Sequence, residues 1–160
     1  MNIFEVADIF QFAIRIEENG EIFYHRAALI ADDKNIADIF NHLADEEIIH
    51  KRIFQDLLSK VDVHRQPESY KGEYIAYLRD YIDNKAVFTK EVKDSELSNV
   101  HDTLSAINFA MQRELDSVLY YQEIKQFVPE KQHGLIDKII EEEREHFSKL
   151  STIKKSYTEK

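Results

Sequence analysis

Cysteine is absent from the 160-residue sequence, which excludes disulfides, thiolate metal sites and any appended iron–cysteine or zinc-ribbon module. Glycine and proline are scarce, at three and two residues. A strand-and-turn fold needs more such punctuation, so long helices are predicted. Positive charge is also short: 21 Lys and Arg against 31 Asp and Glu leave a net charge of −10. With no basic run to overcome repulsion, this argues against a nucleic-acid partner and suits a protein that attracts cations. No apolar run approaches the roughly 20 residues needed to cross a bilayer. The opening MNIFEVADIF lacks the basic flank and small-residue cleavage site of a signal peptide. A soluble cytoplasmic protein with no membrane partner is expected.

What is present reads as helix. With 43% apolar and 32% charged residues, the chain can build one core but not comfortably two, so residues 1–160 are expected to form a single domain. A first helix is predicted from Ile3 to Ala31, with Phe10, Ala13, Glu17, Gly20, Tyr24 and Ala27 on one stripe. Asp32 and Asp33 break it, and Asp33 is placed to cap a second helix from about Asn35 to Val61. Pro67 and Gly72 mark a connection, followed by a short helix around Glu73 to Asp83, while segment 84–99 is polar and hard to assign. A third helix spans about Val100 to Phe127; Pro129 ends it and opens a fourth. Two helical hairpins joined by a crossover of roughly 40 residues predict an all-α four-helix bundle with one long connection.

Polar residues interrupt the apolar stripes. In LADEEIIHKRIFQDL the stripe through Phe40, Leu43, Phe54 and Leu57 also takes in Glu47 and His50, leaving Glu46 to face solvent. The two halves of the chain explain the pattern. FAIRIEENGEIFY (12–24) aligns with FAMQRELDSVLYY (109–121) at an offset of 97, and LADEEIIH (43–50) with IIEEEREH (139–146) at 96. The chain reads as a duplicated hairpin: Glu17 then Glu47-x-x-His50, and Glu114 then Glu143-x-x-His146. A lone Glu-x-x-His carries no weight, since roughly one is expected by chance in so acidic a chain. Glu130 with His133 is such a match, without a counterpart, and reads as a solvated helix start. His25, His42, His64 and His101 have no repeated partner either and are read as surface residues.

An unpaired buried carboxylate costs several kcal/mol, and four close together repel or take up protons. The central stripes hold no Lys or Arg to offset them. Two divalent cations would cancel four carboxylates, and two neutral imidazoles would complete the ligand set with a charge sum of zero. A polar core network or an exposed acidic groove is the alternative, but neither accounts for six residues at repeated offsets.

Together, Glu17 with Tyr24, Glu47-x-x-His50, Glu114 with Tyr121, and Glu143-x-x-His146 resemble the rubrerythrin-like branch of the ferritin-like di-iron carboxylate proteins. The resemblance covers about residues 1–61 and 100–155. It implies a ferritin-like bundle and two iron ions, with Mn or Zn also compatible with such ligands. Glu47 and Glu143 would bridge the metals, Glu17 and His50 completing one and Glu114 and His146 the other. It further implies an oxidoreductase acting in oxidative stress on hydrogen peroxide or dioxygen, with electrons from a separate donor protein, and a homodimer. An iron-binding or ferroxidase protein for storage or detoxification is the alternative. Tyr24 and Tyr121, seven residues after Glu17 and Glu114, read either as donors holding a ligand carboxylate or as ordinary core tyrosines. Rubrerythrins proper add an iron–cysteine domain, which this chain lacks, and a further carboxylate ligand one turn past the third-helix Glu. Ser117 stands there, with Gly20 as its counterpart. Small residues at both places are expected either to leave space beside the metals or to allow close helix packing.

Overall fold

The computed structural model of the chain describes residues 6–60, 76, 77, 80 and 97–159. Four long helices account for most of them: α1 (Val6–Ile30), α2 (Lys34–Ser59), α3 (Thr103–Ile124) and α4 (His133–Thr158). Among the described residues there is no strand. The boundaries follow local chemistry. Asp33 caps α2 as expected, its Oδ1 accepting from the Asn35 amide at 2.8 Å and the Ile36 amide at 3.4 Å. Asp102 and Ser105 open α3 with a reciprocal capping box: the Asp102 carboxylate accepts from the Ser105 amide at 2.7 Å, and Ser105 Oγ accepts from the Asp102 amide at 3.1 Å. Before Pro129, α3 tightens into a 3-10 turn at Lys125–Phe127. After it, a second 3-10 turn at Glu130–Gln132 leads into α4.

The helices form two antiparallel hairpins, α1 with α2 and α3 with α4, which meet along α1–α3 and α2–α4. Asp32, between α1 and α2, accepts hydrogen bonds from Thr103 Oγ1 at 2.6 Å and from the Tyr157 hydroxyl at 2.9 Å. One clasp thereby joins the start of α3 and the end of α4 to the first hairpin's turn. It follows that α2 ends at the opposite end of the bundle from where α3 begins, the geometry that calls for a long connection. Of the short helix expected over Glu73 to Asp83, Ala76, Tyr77 and Asp80 are helical and the rest lies outside the described residues. His64, Pro67, Gly72 and most of segment 84–99 lie outside them as well.

Every stripe position expected to be buried on α1 and α2 is buried. The core falls into two apolar blocks. One holds Phe10, Ile16, Phe54, Tyr121 and Ile139; the other holds Phe23, Tyr24, Phe40, Leu43 and Ile107, with Leu97 and Val100 packed onto it. Among the described residues, no helix is long and apolar enough to cross a membrane.

Candidate metal centre

Between the apolar blocks lies a polar layer. α1 brings Glu17, α2 Glu47 and His50, α3 Glu114, and α4 Glu143 and His146, none more than 1% exposed. Their donor atoms form two overlapping sets, Glu17, Glu47, His50, Glu143 and Glu47, Glu114, Glu143, His146, with the chosen atoms of each set within 4.8 Å of one another. Glu47 and Glu143 belong to both. Among the described residues, Glu17 Oε2, both oxygens of Glu47 and of Glu143, Glu114 Oε2 and the Nδ1 atoms of His50 and His146 have no hydrogen-bond partner. Buried polar atoms are normally satisfied. Most of the orphaned atoms are these converging oxygens and imidazole nitrogens, as a pair of metal ions would require, and hard oxygen with imidazole is a donor set that Fe, Mn or Zn accept.

The arrangement is close to symmetric. His50 Nδ1 lies 3.0 Å from Glu143 Oε1, and His146 Nδ1 3.3 Å from Glu143 Oε2. The two imidazoles stack with centroids 5.9 Å apart. Their outer nitrogens face carboxylates on the helix opposite: His50 Nε2 donates to Glu142 Oε2 at 3.0 Å, and His146 Nε2 stands 3.0 Å from Glu46 Oε2. A carboxylate on Nε2 turns Nδ1 inward as the free donor, the tautomer a metal ligand needs. Glu46 is therefore not the solvent-facing neighbour expected from the sequence; its side chain is 30% exposed and reaches across to α4. The signal was present in the repeat, since Glu precedes Glu-x-x-His in both copies, but pairing between helices cannot be read along one helix.

Tyr24 and Tyr121 both donate to site carboxylates, and the bonds are crossed. Tyr24 bonds Glu114 and Tyr121 bonds Glu17, each in the other hairpin. Burial, followed by the neighbouring Glu114 or Glu17 charge, pushes both phenols well above their ordinary range, so they remain protonated donors.

Crowding distorts the acid groups. Burial pushes Glu47 well above the usual carboxylate range although Arg113 opposes it. Burial likewise raises Glu143, with the charges of Glu114 and Glu47 adding to the effect. Glu114 goes the other way: against burial, Glu143, His146 and the Arg113 charge hold it low. Burial alone would lower His50, but Glu143 and Glu17 push it up to about 12. His146 is raised similarly by Glu114, Glu143 and Glu46. Without metal, protons on the imidazoles add positive charge to a layer crowded with carboxylates.

The charge balance of the layer differs from the one expected. The stripes contain no Lys or Arg, yet Arg113, a stripe neighbour of Glu114, is 2% exposed. Its Nη2 lies 2.9 Å from Glu47 Oε1 and its Cζ 5.4 Å from the Tyr24 ring centre. The sum of four carboxylates, one guanidinium and two divalent ions is +1 rather than zero. Gly20 explains how Arg113 fits, because a Cβ there would collide with the guanidinium. The space expected beside the metals at Gly20 is filled by this side chain. Ser117 is 1% exposed and its Oγ has no hydrogen-bond partner among the described residues.

Among the described residues, the other histidines stay apart from the layer. His25, His42 and His101 are exposed. Glu130 is exposed too, and His133 donates to the Val128 carbonyl at 2.8 Å, an arrangement that closes the turn before α4.

Comparison with known proteins agrees with this geometry. No curated protein is significantly similar to the chain. Among solved structures, a chain described as a ferritin-like diiron-carboxylate protein of Thermotoga maritima superimposes with a TM-score of 0.65 at 27% identity, covering 97% of each chain. The fold is thus a ferritin-like four-helix bundle. The family model described as Rubrerythrin matches residues 8–154. With a buried Glu/His layer able to hold metal in a bundle of this kind, the chain belongs to the rubrerythrin family.

Proposed function

We propose that this protein is a di-iron oxidoreductase that reduces hydrogen peroxide or dioxygen, as part of defence against oxidative stress. The observation that carries the reading is the convergence of orphaned, buried donor atoms into two overlapping ligand sets. Glu47 and Glu143, common to both sets, would be shared between the two ions. Glu17 and His50 complete one position, Glu114 and His146 the other. Two ferrous ions bound there would supply the two electrons that, with two protons, convert one peroxide to two waters. The chain's own groups set the stage. Tyr24 and Tyr121 hold the terminal carboxylates, Glu46 and Glu142 orient the imidazoles, and the two apolar blocks keep bulk water from the layer. Mn or Zn fits the same donors. Electrons arrive from a separate donor protein, and the functional unit is assigned as a cytoplasmic homodimer.

The test is anaerobic loading with ferrous iron, metal analysis, and a stoichiometric peroxide pulse followed optically. Repeated turnover with an added reductant supports the oxidoreductase. A single oxidation with the iron retained or released supports iron storage or detoxification instead. Binding of far fewer than two metals per chain removes both.

A further inference from the structure

The duplicated halves differ at one point of the polar layer. Arg113 aligns with Ile16 at the repeat offset of 97, and Ser117 with Gly20. Ile16 is fully buried in an apolar block, whereas Arg113 turns its charge into the layer. Gly20 is what admits it. Among the described residues, nothing on the first half mirrors this cation. Among the described residues none of its three nitrogens finds a hydrogen-bond partner, although Nη2 stands at 2.9 Å from Glu47 Oε1. A guanidinium does not lose its proton in a protein, so the charge is permanent.

We propose that Arg113 is a resident cation that makes the two metal positions unequal. The ion held by Glu17, Glu47, Glu143 and His50 binds first and tightly. The ion held by Glu47, Glu114, Glu143 and His146 binds second and at least tenfold more weakly. The inference rests on the dimetal reading above.

Charge bookkeeping supports the order. With the carboxylates ionised and the imidazoles neutral, the forms that ligate, four carboxylates and Arg113 total −3, so a first divalent ion leaves −1 and a second must enter against that reduced attraction, ending at +1. Without Arg113 the same steps run from −4 through −2 to zero. Position decides which site is penalised, because Coulomb repulsion falls with distance. Arg113 adjoins Glu114 in the chain and lies over the ring of Tyr24, whose hydroxyl bonds Glu114. It is therefore on the Glu114 side of the layer. Glu47, which both sets need, already shares Oε1 with the guanidinium.

The experiment is a calorimetric titration of the metal-free full chain with Zn(II), with anomalous scattering from crystals soaked at one equivalent. Two steps at least tenfold apart are expected, with the first ion beside Glu17 and His50. Mutual repulsion between two ions can separate steps by itself, so the comparison with variants decides. Arg113→Met should tighten the second step at least tenfold, and Arg113→Lys, which restores a cation, should keep the wild-type separation. An unchanged second step in Arg113→Met, or a first ion beside Glu114 and His146, overturns the proposal. Should Arg113→Met not fold, the position of the first ion in the wild-type chain decides the matter alone. A wild-type chain that binds neither ion refutes the dimetal reading itself, an outcome distinct from two ions bound in the wrong order.

Discussion

Replacing Glu142 by alanine removes the oxygen that accepts from His50 Nε2 at 3.0 Å. The side chain is 32% exposed and its other contact is Lys138 at 3.5 Å, so the fold loses little. What changes is the imidazole. Its outer N–H must turn to solvent, and Nδ1 is no longer locked toward Glu17, Glu47 and Glu143. Loss of a carboxylate behind a ligating histidine weakens metal binding about 10- to 100-fold, which is about 1.4–2.7 kcal/mol at one position. A chelator-competition titration with Zn(II) should show two ions still bound, one of them weakened to this extent. Glu142→Gln, which keeps an acceptor oxygen, should lose less. Glu141→Ala, one residue away on an exposed site facing Arg144, should change affinity by less than about twofold. If Glu142→Ala stays within about twofold of wild type, or Glu141→Ala falls as far, the oxygen on Nε2 does not orient the ligand and the reasoning fails.

Other consequences are as direct. Glu47→Ala and Glu143→Ala, which remove a group shared by both ligand sets, should abolish stoichiometric metal binding, whereas Glu130→Ala should leave two metals per chain by elemental analysis. Tyr121→Phe strands a buried Glu17 oxygen and should destabilise the metal-free chain by about 1–3 kcal/mol in urea unfolding; no loss would place the donor elsewhere. The pH dependence of the metal-free chain has a definite sign. Glu47 and Glu143 are raised above the ordinary 4.5, so the stability of their protonated forms is present below that value and is lost as pH rises through the folded one. His50, raised from 6.5 to about 12, works in the same direction at higher pH: its contribution is complete below 6.5 and disappears on the way to about 12. The melting temperature without metal should therefore fall from mildly acidic to alkaline pH, and bound metal, which needs these groups deprotonated, should reverse the trend. A metal-free melting temperature that rises over that range would contradict the burial and pairing of these groups.

Much of this was legible in the sequence because it depends on spacing along one helix. The scarcity of glycine and proline and the 3–4 periodicity set the four helices, and Asp33 and Pro129 marked boundaries through local cap and backbone chemistry. The six inward donors stood out because the hairpin is repeated in phase. A helix carries residues at i and i+3 on one face whatever surrounds it, so Glu47 with His50 and Glu143 with His146 needed no partner to be recognised. What the sequence could not express are relations between helices. The crossed bonds of Tyr24 to Glu114 and Tyr121 to Glu17, and the reach of Glu46 and Glu142 to the opposite histidines, depend on the relative height and facing of separate helices. Arg113 is the sharpest case. A stripe records where a side chain is attached, and a long flexible one ends somewhere else. Only the packing of α1 against α3, with no Cβ on Gly20, decided that its charge would come to rest beside Glu47.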